Sequence, residues 1–257
     1  MGQGLHGAAA AGFARAPEDY ERGRPGYPRA AVERLASALG LRPGVRVLDL
    51  AAGTGKLTRA LAGTGAEVVA VEPVAEMRAA LVASLPSVQA LAGAAEAVPL
   101  AAGAVDAVAC GQAFHWFRGE EALAEIHRVL RPGGRLGLVW NVRDEGVPWV
   151  AELTGLMEPY RGDAPRAGSG AWRDAFARTR LFAPLERASF RHVHRLPPEG
   201  VVARVASVSF VAALPESERT AVLERVRALL ASSPATRGRG ELELPYRADV
   251  WWCSRGS

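Results

Sequence analysis

Short apolar runs separated by helical stretches dominate the first 141 residues. Val45–Leu50, Glu67–Val71, Val88–Leu91, Val105–Cys110 and Arg135–Trp140 are valine-rich and bounded by turn residues, and they read as strands. Between them, the stretch beginning at Lys56, then Val74–Leu85 and Glu120–Leu130, carry helical spacing. An earlier helix opens at Tyr27-Pro28, places Val32, Leu35 and Leu39 on one face, and stops at Gly40. Strands that are apolar nearly throughout belong to a parallel sheet covered on both faces. Leu41-Arg42-Pro43-Gly44 and Leu130-Arg131-Pro132-Gly133-Gly134 mark turns before the first and fifth strands.

After Asn141 the rhythm changes. Trp149–Tyr160, Trp172–Thr179, Pro198–Ala206 and Pro215–Ala231 read as helices, and Leu185–Arg195 and Glu241–Trp252 as strands. Pro245 falls inside the last strand, which requires an edge position, a bulge or a later start. The expected architecture is α/β: a doubly wound, mostly parallel seven-stranded sheet with helices on both faces and a helical cap insertion. Residues 1–16 are rich in Gly and Ala and are expected to be a flexible segment. Residues 17–257 are expected to form one domain, with 17–141 as the ligand-binding core and 142–257 as acceptor-side cap and sheet completion.

The loop after the first strand, Ala51-Ala52-Gly53-Thr54-Gly55-Lys56, decides the ligand class. A triphosphate-binding loop needs glycine five residues before its Gly-Lys pair and Ser or Thr after the lysine. Leu50 and Leu57 occupy those positions, so that reading fails. A dinucleotide fingerprint needs a third glycine, and Thr58 stands there. A nucleotide-dependent oxidoreductase is therefore disfavoured. Glu72, nineteen residues after Gly53 at the end of the second strand, is placed to accept ribose hydroxyls. Asp49, at the end of the first strand, suits an ammonium group better than a phosphate. Adenosine joined to methionine satisfies both ends.

These residues carry a resemblance. Val47-Leu48-Asp49-Leu50-Ala51-Ala52-Gly53-Thr54-Gly55, Glu72, Ala94-Ala95-Glu96-Ala97-Val98-Pro99-Leu100 and Leu130-Arg131-Pro132-Gly133-Gly134 resemble the Rossmann-like class I S-adenosylmethionine-dependent methyltransferases of the small-molecule type 11 group. The resemblance spans roughly Tyr20 to Asn141. Arg24-Pro25-Gly26-Tyr27-Pro28 and Gln112-Ala113-Phe114-His115-Trp116-Phe117 are similar to the trans-aconitate-methyltransferase-like subgroup. It implies that Asp49, Ala51, Gly53 and Gly55 cradle the methionine end of the cofactor, Glu72 holds the ribose, and Ala95 and Glu96 lie by the adenine. Gln112 and His115 would stand between cofactor and acceptor, with His115 the candidate general base. Tyr20, Arg24 and Tyr27 would form a lid. Ala51 replaces the usual first glycine, which is tolerable where the backbone angles suit alanine; Ala94 stands where relatives carry an acid that reads the adenine. Were the acceptor an acid, Arg24 and Arg143 would be its clamps. A protein of this fold that binds the cofactor without turnover is the other class left open.

Composition narrows the partners. About half of the 257 residues are apolar, and the net charge is +4. The basic excess is spread along the chain without a run of five like charges, and a nucleic-acid partner is not expected. Cys110 and Cys253 lack metal-ligand spacing, and His192 and His194 lack a third ligand, so no metal is expected. The most apolar run, Val201–Leu214, is too short to span a bilayer and is interrupted by Arg204. With no secretory pattern at the N-terminus, a soluble cytoplasmic protein acting on a small-molecule acceptor is expected.

Overall fold

The structure, a computed structural model, describes residues 23–256. Seven strands form one sheet: β1 (Arg46–Leu50), β2 (Glu67–Val71), β3 (Gln89–Leu91), β4 (Val105–Gly111), β5 (Leu130–Arg143), β6 (Glu186–Leu196) and β7 (Leu242–Ser254), in the order β3-β2-β1-β4-β5-β7-β6. The first five run parallel, and β7 lies antiparallel between β5 and β6. The strands match the apolar runs of the sequence. The flexible-segment expectation for residues 1–16, and Tyr20, lie outside the described residues.

Helices α1 (Arg29–Leu39), α2 (Lys56–Ala62) and α3 (Ala75–Ser84) cover one face of the sheet, and α4 (Gly119–Val129) covers the other. On the first face Leu35, Leu39, Leu57 and Leu61 pack on Val47, Val139 and Val250. On the second, Leu123, Ile126 and Val129 pack on Leu48, Val108, Leu136 and Leu138. Each of these fully buried side chains contributes about 1.5–3 kcal/mol relative to exposure. The helices α5 (Pro148–Met157), α6 (Pro198–Ala206) and α7 (Glu216–Ser232) bury Leu153, Met157, Val201, Val205, Val222 and Val226 against Leu242, Leu244 and Tyr246 of β7. That third core sits beyond the C-terminal edge of β5 and forms the cap.

Two local surprises have simple causes. The Leu130–Gly134 turn lies inside β5 as a bulge: pairing with β4 jumps from Val105↔Leu130 to Ala107↔Arg135, with Gly133 at φ 76°. Pro245 lies within an internal strand, yet β5 and β7 stop pairing at Arg143↔Tyr246. Beyond that pair β7 is locally an edge, and the Asp144 N–H donates to the Pro245 carbonyl at 3.0 Å.

Because the central strands are parallel, their C-terminal ends share one edge, and the order of connection reverses between β1 and β4. A crevice opens at such a reversal.

Candidate active site

The chain leaves β1 at Leu50 and turns through Ala51–Gly55 into α2. Ala51, Gly53 and Gly55 all take positive φ, 57°, 58° and 91°. A Cβ at Gly53 would meet nothing within 4 Å, so the loop is open there. Ala51 holds an angle suited to glycine rather than alanine, at a cost of about 1–2 kcal/mol. Ala51→Gly relieves that cost but frees the unfolded chain by about 0.4–1 kcal/mol. The variant is expected to unfold in a denaturant melt at equal or greater stability, by up to about 1.5 kcal/mol; a clear loss would mean that the Ala51 methyl is needed for packing.

Asp49 is fully buried beneath this loop. Its Oδ2 accepts the Thr58 hydroxyl at 2.6 Å, while Oδ1 is buried with no hydrogen-bond partner among the described residues. Burial, with the nearby Glu72 charge adding to it and the Thr58 bond opposing it, pushes its carboxyl up to about 7. Thr58, which the sequence shows only as a missing glycine, is thus the group that orients Asp49. Glu72 is buried too, and both its oxygens are engaged: Oε2 accepts the Gly53 N–H at 2.8 Å and Oε1 the Val74 N–H at 2.9 Å. Burial also raises its carboxyl above the ordinary range.

Of the sequence candidates, Asp49, Ala51, Gly53, Gln112, Arg24 and Tyr27 line one narrow cleft. Gly111 has no side chain because the Tyr27 hydroxyl and Leu57 stand against it. Gly55 caps α2 behind the cleft, against Leu81. Glu72 does not line the cleft but braces its floor. Ala95 packs into the core, and the Glu96 carboxylate accepts the Arg118 N–H at 2.8 Å; neither reaches the cleft.

Arg24 and Gln112 also line a second, larger cavity of about 630 Å³. Gln112 is held at φ 60°, another left-handed angle on a non-glycine residue. Its Nε2 donates to the Asn141 carbonyl at 3.3 Å. Asn141 Nδ2 donates to the Gly26 carbonyl at 3.0 Å, and its Oδ1 meets His192 Nε2 at 2.9 Å, which fixes the 25–26 backbone over the strand ends. The cavity wall holds Arg24, Arg143, Arg161, Arg166, Arg204 and Arg247 against the carboxylates of Asp144 and Glu145.

The comparisons with known proteins agree with this geometry. Residues 48–138 match the family model described as a methyltransferase domain. An uncharacterized methyltransferase of Mycobacterium tuberculosis is 45% identical over 234 residues, 91% of each chain. The chain is a class I S-adenosylmethionine-dependent methyltransferase. An uncharacterized methyltransferase-like protein of Schizosaccharomyces pombe is 37% identical over 230 residues, 89% of this chain and 90% of the other. Among solved structures, one from Anaeromyxobacter dehalogenans described as a type II methyltransferase superposes with a TM-score of 0.66 at 25% identity, covering 90% of this chain and 97% of that one.

In this methyltransferase His115 sits where the two cavities approach, half-buried on the turn after β4. The Trp140 indole Nε1–H donates to His115 Nδ1 at 3.2 Å. An indole nitrogen only donates, so Nδ1 is the acceptor and Nε2 carries the hydrogen of the neutral ring. Burial, with the charges of Arg24 and Arg161 adding to it, pushes the imidazole down to about 3. The ring therefore offers an N–H near neutral pH and has no free lone pair with which to take a proton. Sequence reasoning missed Arg161, Arg204 and Tyr246 as parts of this methyltransferase's cavity; Arg204 alone left a visible trace, as a charge inside an apolar run. No helix among the described residues is long and apolar enough to cross a membrane.

Proposed function

We propose that the chain methylates a small carboxylic acid held in the arginine-lined cavity, with S-adenosylmethionine in the glycine-loop cleft. One observation carries this reading: a fully buried, half-unpartnered carboxylate under an open glycine loop, in a cleft that meets a basic cavity at Arg24 and Gln112. An orphaned carboxylate oxygen fits a cationic amino-acid end and opposes a phosphate. Asp49, Ala51 and Gly53 are assigned to that end of the cofactor, and Glu72 to the ribose side through the Gly53 amide that it holds; Gly55, Ala95 and Glu96 lie behind the cleft wall and are assigned no direct contact with the cofactor. Tyr20, Arg24 and Tyr27 are assigned to the covering segment. The cofactor, when bound, supplies a methyl group on a sulfonium leaving group. The similarity of Arg24–Pro28 and Gln112–Phe117 to trans-aconitate-methyltransferase-like proteins supports an acid as acceptor.

The residues around the cavity align and desolvate rather than activate. A carboxylate is already the nucleophile at neutral pH and needs no base. Holding it in line is worth about 7–11 kcal/mol of the barrier. His115, as a neutral donor, orients an acceptor oxygen through Nε2–H. The kcat profile at saturating cofactor and acceptor is accordingly expected to show no imidazole inflection between about pH 5 and 8. An inflection near pH 6.5 that disappears in His115→Gln would reinstate the general base.

Titration of the purified chain tests the cofactor: S-adenosylmethionine and S-adenosylhomocysteine should bind, and NAD should not. Incubation of a metabolite extract with methyl-labelled cofactor then identifies the product, expected to be a methyl ester. Labelled amines or phenols without labelled esters would refute the acid acceptor.

A further inference from the structure

We propose that the large cavity contains an oxyanion subsite centred on Arg143, which anchors the acceptor through an anionic group other than the atom that receives the methyl. The proposal rests on the methyl-transfer reading above for the location of the nucleophile.

The arginines of the cavity are not equivalent. Arg161 Nε is paired with Glu158 at 2.6 Å, Arg166 with Glu145 at 2.7 Å and Glu158 at 3.0 Å, and Arg247 with Asp249 at 2.8 Å. Arg204, by contrast, has only neutral partners among the described residues: its Nε donates to the Tyr246 hydroxyl at 3.2 Å and its Nη1 to the Ser207 hydroxyl at 3.4 Å. Arg143 goes further. Its Nη1 is buried and has no hydrogen-bond partner among the described residues, and it shares the cavity wall with Arg204 and Tyr246. The Glu145 carboxylate that acts on it is already held by Arg166. Burial and the adjacent Arg204 charge bring its guanidinium down to about 10. A guanidinium with a buried, idle N–H is costly unless an anion satisfies it. No described side chain does so, and the cavity has room for one that arrives with the acceptor.

Position separates this anion from the methylated atom. Gln112 lies at the junction of the cleft and the cavity, hydrogen-bonded to the carbonyl of Asn141. Arg143 is two residues further along β5 than Asn141 and lines the large cavity but not the cleft. An anion held by Arg143 therefore sits off the junction at which a methyl donor in the cleft meets the acceptor. The acceptor therefore presents its nucleophile at the Gln112 and His115 level and a second oxyanion, carboxylate or phosphate, at Arg143. Planar guanidinium suits both.

The test uses the full chain in low-salt buffer. S-adenosylhomocysteine is titrated first, then glutarate or inorganic phosphate is titrated into the resulting complex by calorimetry. At least one oxyanion is expected to bind alongside S-adenosylhomocysteine, with affinity falling as chloride is added. Arg143→Gln should weaken that binding roughly 10- to 100-fold, as loss of a charge-assisted hydrogen bond does. Arg204→Gln should weaken it too, and S-adenosylhomocysteine affinity should hold in both variants. Apo Arg143→Gln should melt no lower than the wild type, because it loses a buried unpaired charge; a purely structural arginine would show the opposite. Preference for glutarate identifies a carboxylate subsite and preference for phosphate a phosphate subsite, and either supports the proposal. Equal oxyanion binding by wild type and both variants, or none by the wild type, overturns it. Failure of the wild type to bind S-adenosylhomocysteine would instead overturn the cofactor reading.

Discussion

Asp49→Asn is expected to stabilise the apoprotein at pH 8 while abolishing cofactor binding. The wild-type carboxylate is buried, with Oδ1 lacking any partner, and its carboxyl titrates at about 7 instead of near 4. A folded-state value above the unfolded one means that the folded chain holds the proton more tightly. The cost to the fold is therefore full above pH 7 and disappears as pH falls toward the unfolded value. The displacement corresponds to an order of 4 kcal/mol, reduced by whatever water the cleft admits. Asparagine keeps an acceptor for the Thr58 hydroxyl and removes the charge. Thermal melts should place the variant above the wild type at pH 8, by about 2–4 °C for each kcal/mol regained in a chain of this length. The gap should narrow at pH 5.5. An identical gap at both values would show that Asp49 does not titrate in this range. Calorimetric titration should find S-adenosylmethionine binding lost in the variant at either pH, and weakened in the wild type as pH drops below about 7, since a cationic ligand selects the ionised carboxylate.

That trade between stability and binding shows what the chain's sequence displays and what it hides. Strand positions are legible because buried parallel strands demand continuous apolar runs, and β2 spans the residues the pattern picks out, Glu67–Val71. The glycine loop is legible because left-handed turns constrain residue type, although Ala51 shows the constraint can be overridden at a price in strain. The arginine-lined cavity is a different matter. Arg143 comes from β5, Arg161 from the turn after α5, Arg204 from α6 and Tyr246 from β7, so nothing local in the sequence announces that they meet. Pairing is hidden as well: sequence cannot show that Glu145 and Glu158 neutralise Arg166 while Arg143 Nη1 is left alone. Likewise Thr58 is visible only as an absent glycine until folding brings its hydroxyl to Asp49. His115 stands out within its aromatic segment, but which of its ring nitrogens carries the hydrogen is decided by Trp140, 25 residues away.

Glu72 is the counterpart that behaves oppositely. The two acids look alike in the sequence, each ending a strand beside the glycine loop, and the same loss of binding is expected of both. In the fold, however, Asp49 has an idle oxygen and Glu72 has none: its carboxylate ties the Gly53 amide to the start of α3 through the Val74 amide. Glu72→Ala strands two amide donors, and an unmatched buried donor costs about 1–3 kcal/mol. The expected loss is about 2–4 kcal/mol, a fall of several degrees in Tm, together with loss of S-adenosylhomocysteine binding as the loop relaxes. Glu72→Gln keeps one acceptor and should fall between the wild type and Glu72→Ala in stability. It should also lower the Asp49 titration, because the Glu72 charge helps hold that carboxyl up. Denaturant melts of both variants, with pH series on the glutamine form, check the order. If Glu72→Ala were as stable as the wild type, the brace would be dispensable, and the two acids would be equivalent after all. The expected asymmetry, one carboxylate lowering the stability of the apo fold and the other raising it, follows from two hydrogen bonds that Glu72 makes and Asp49 Oδ1 does not.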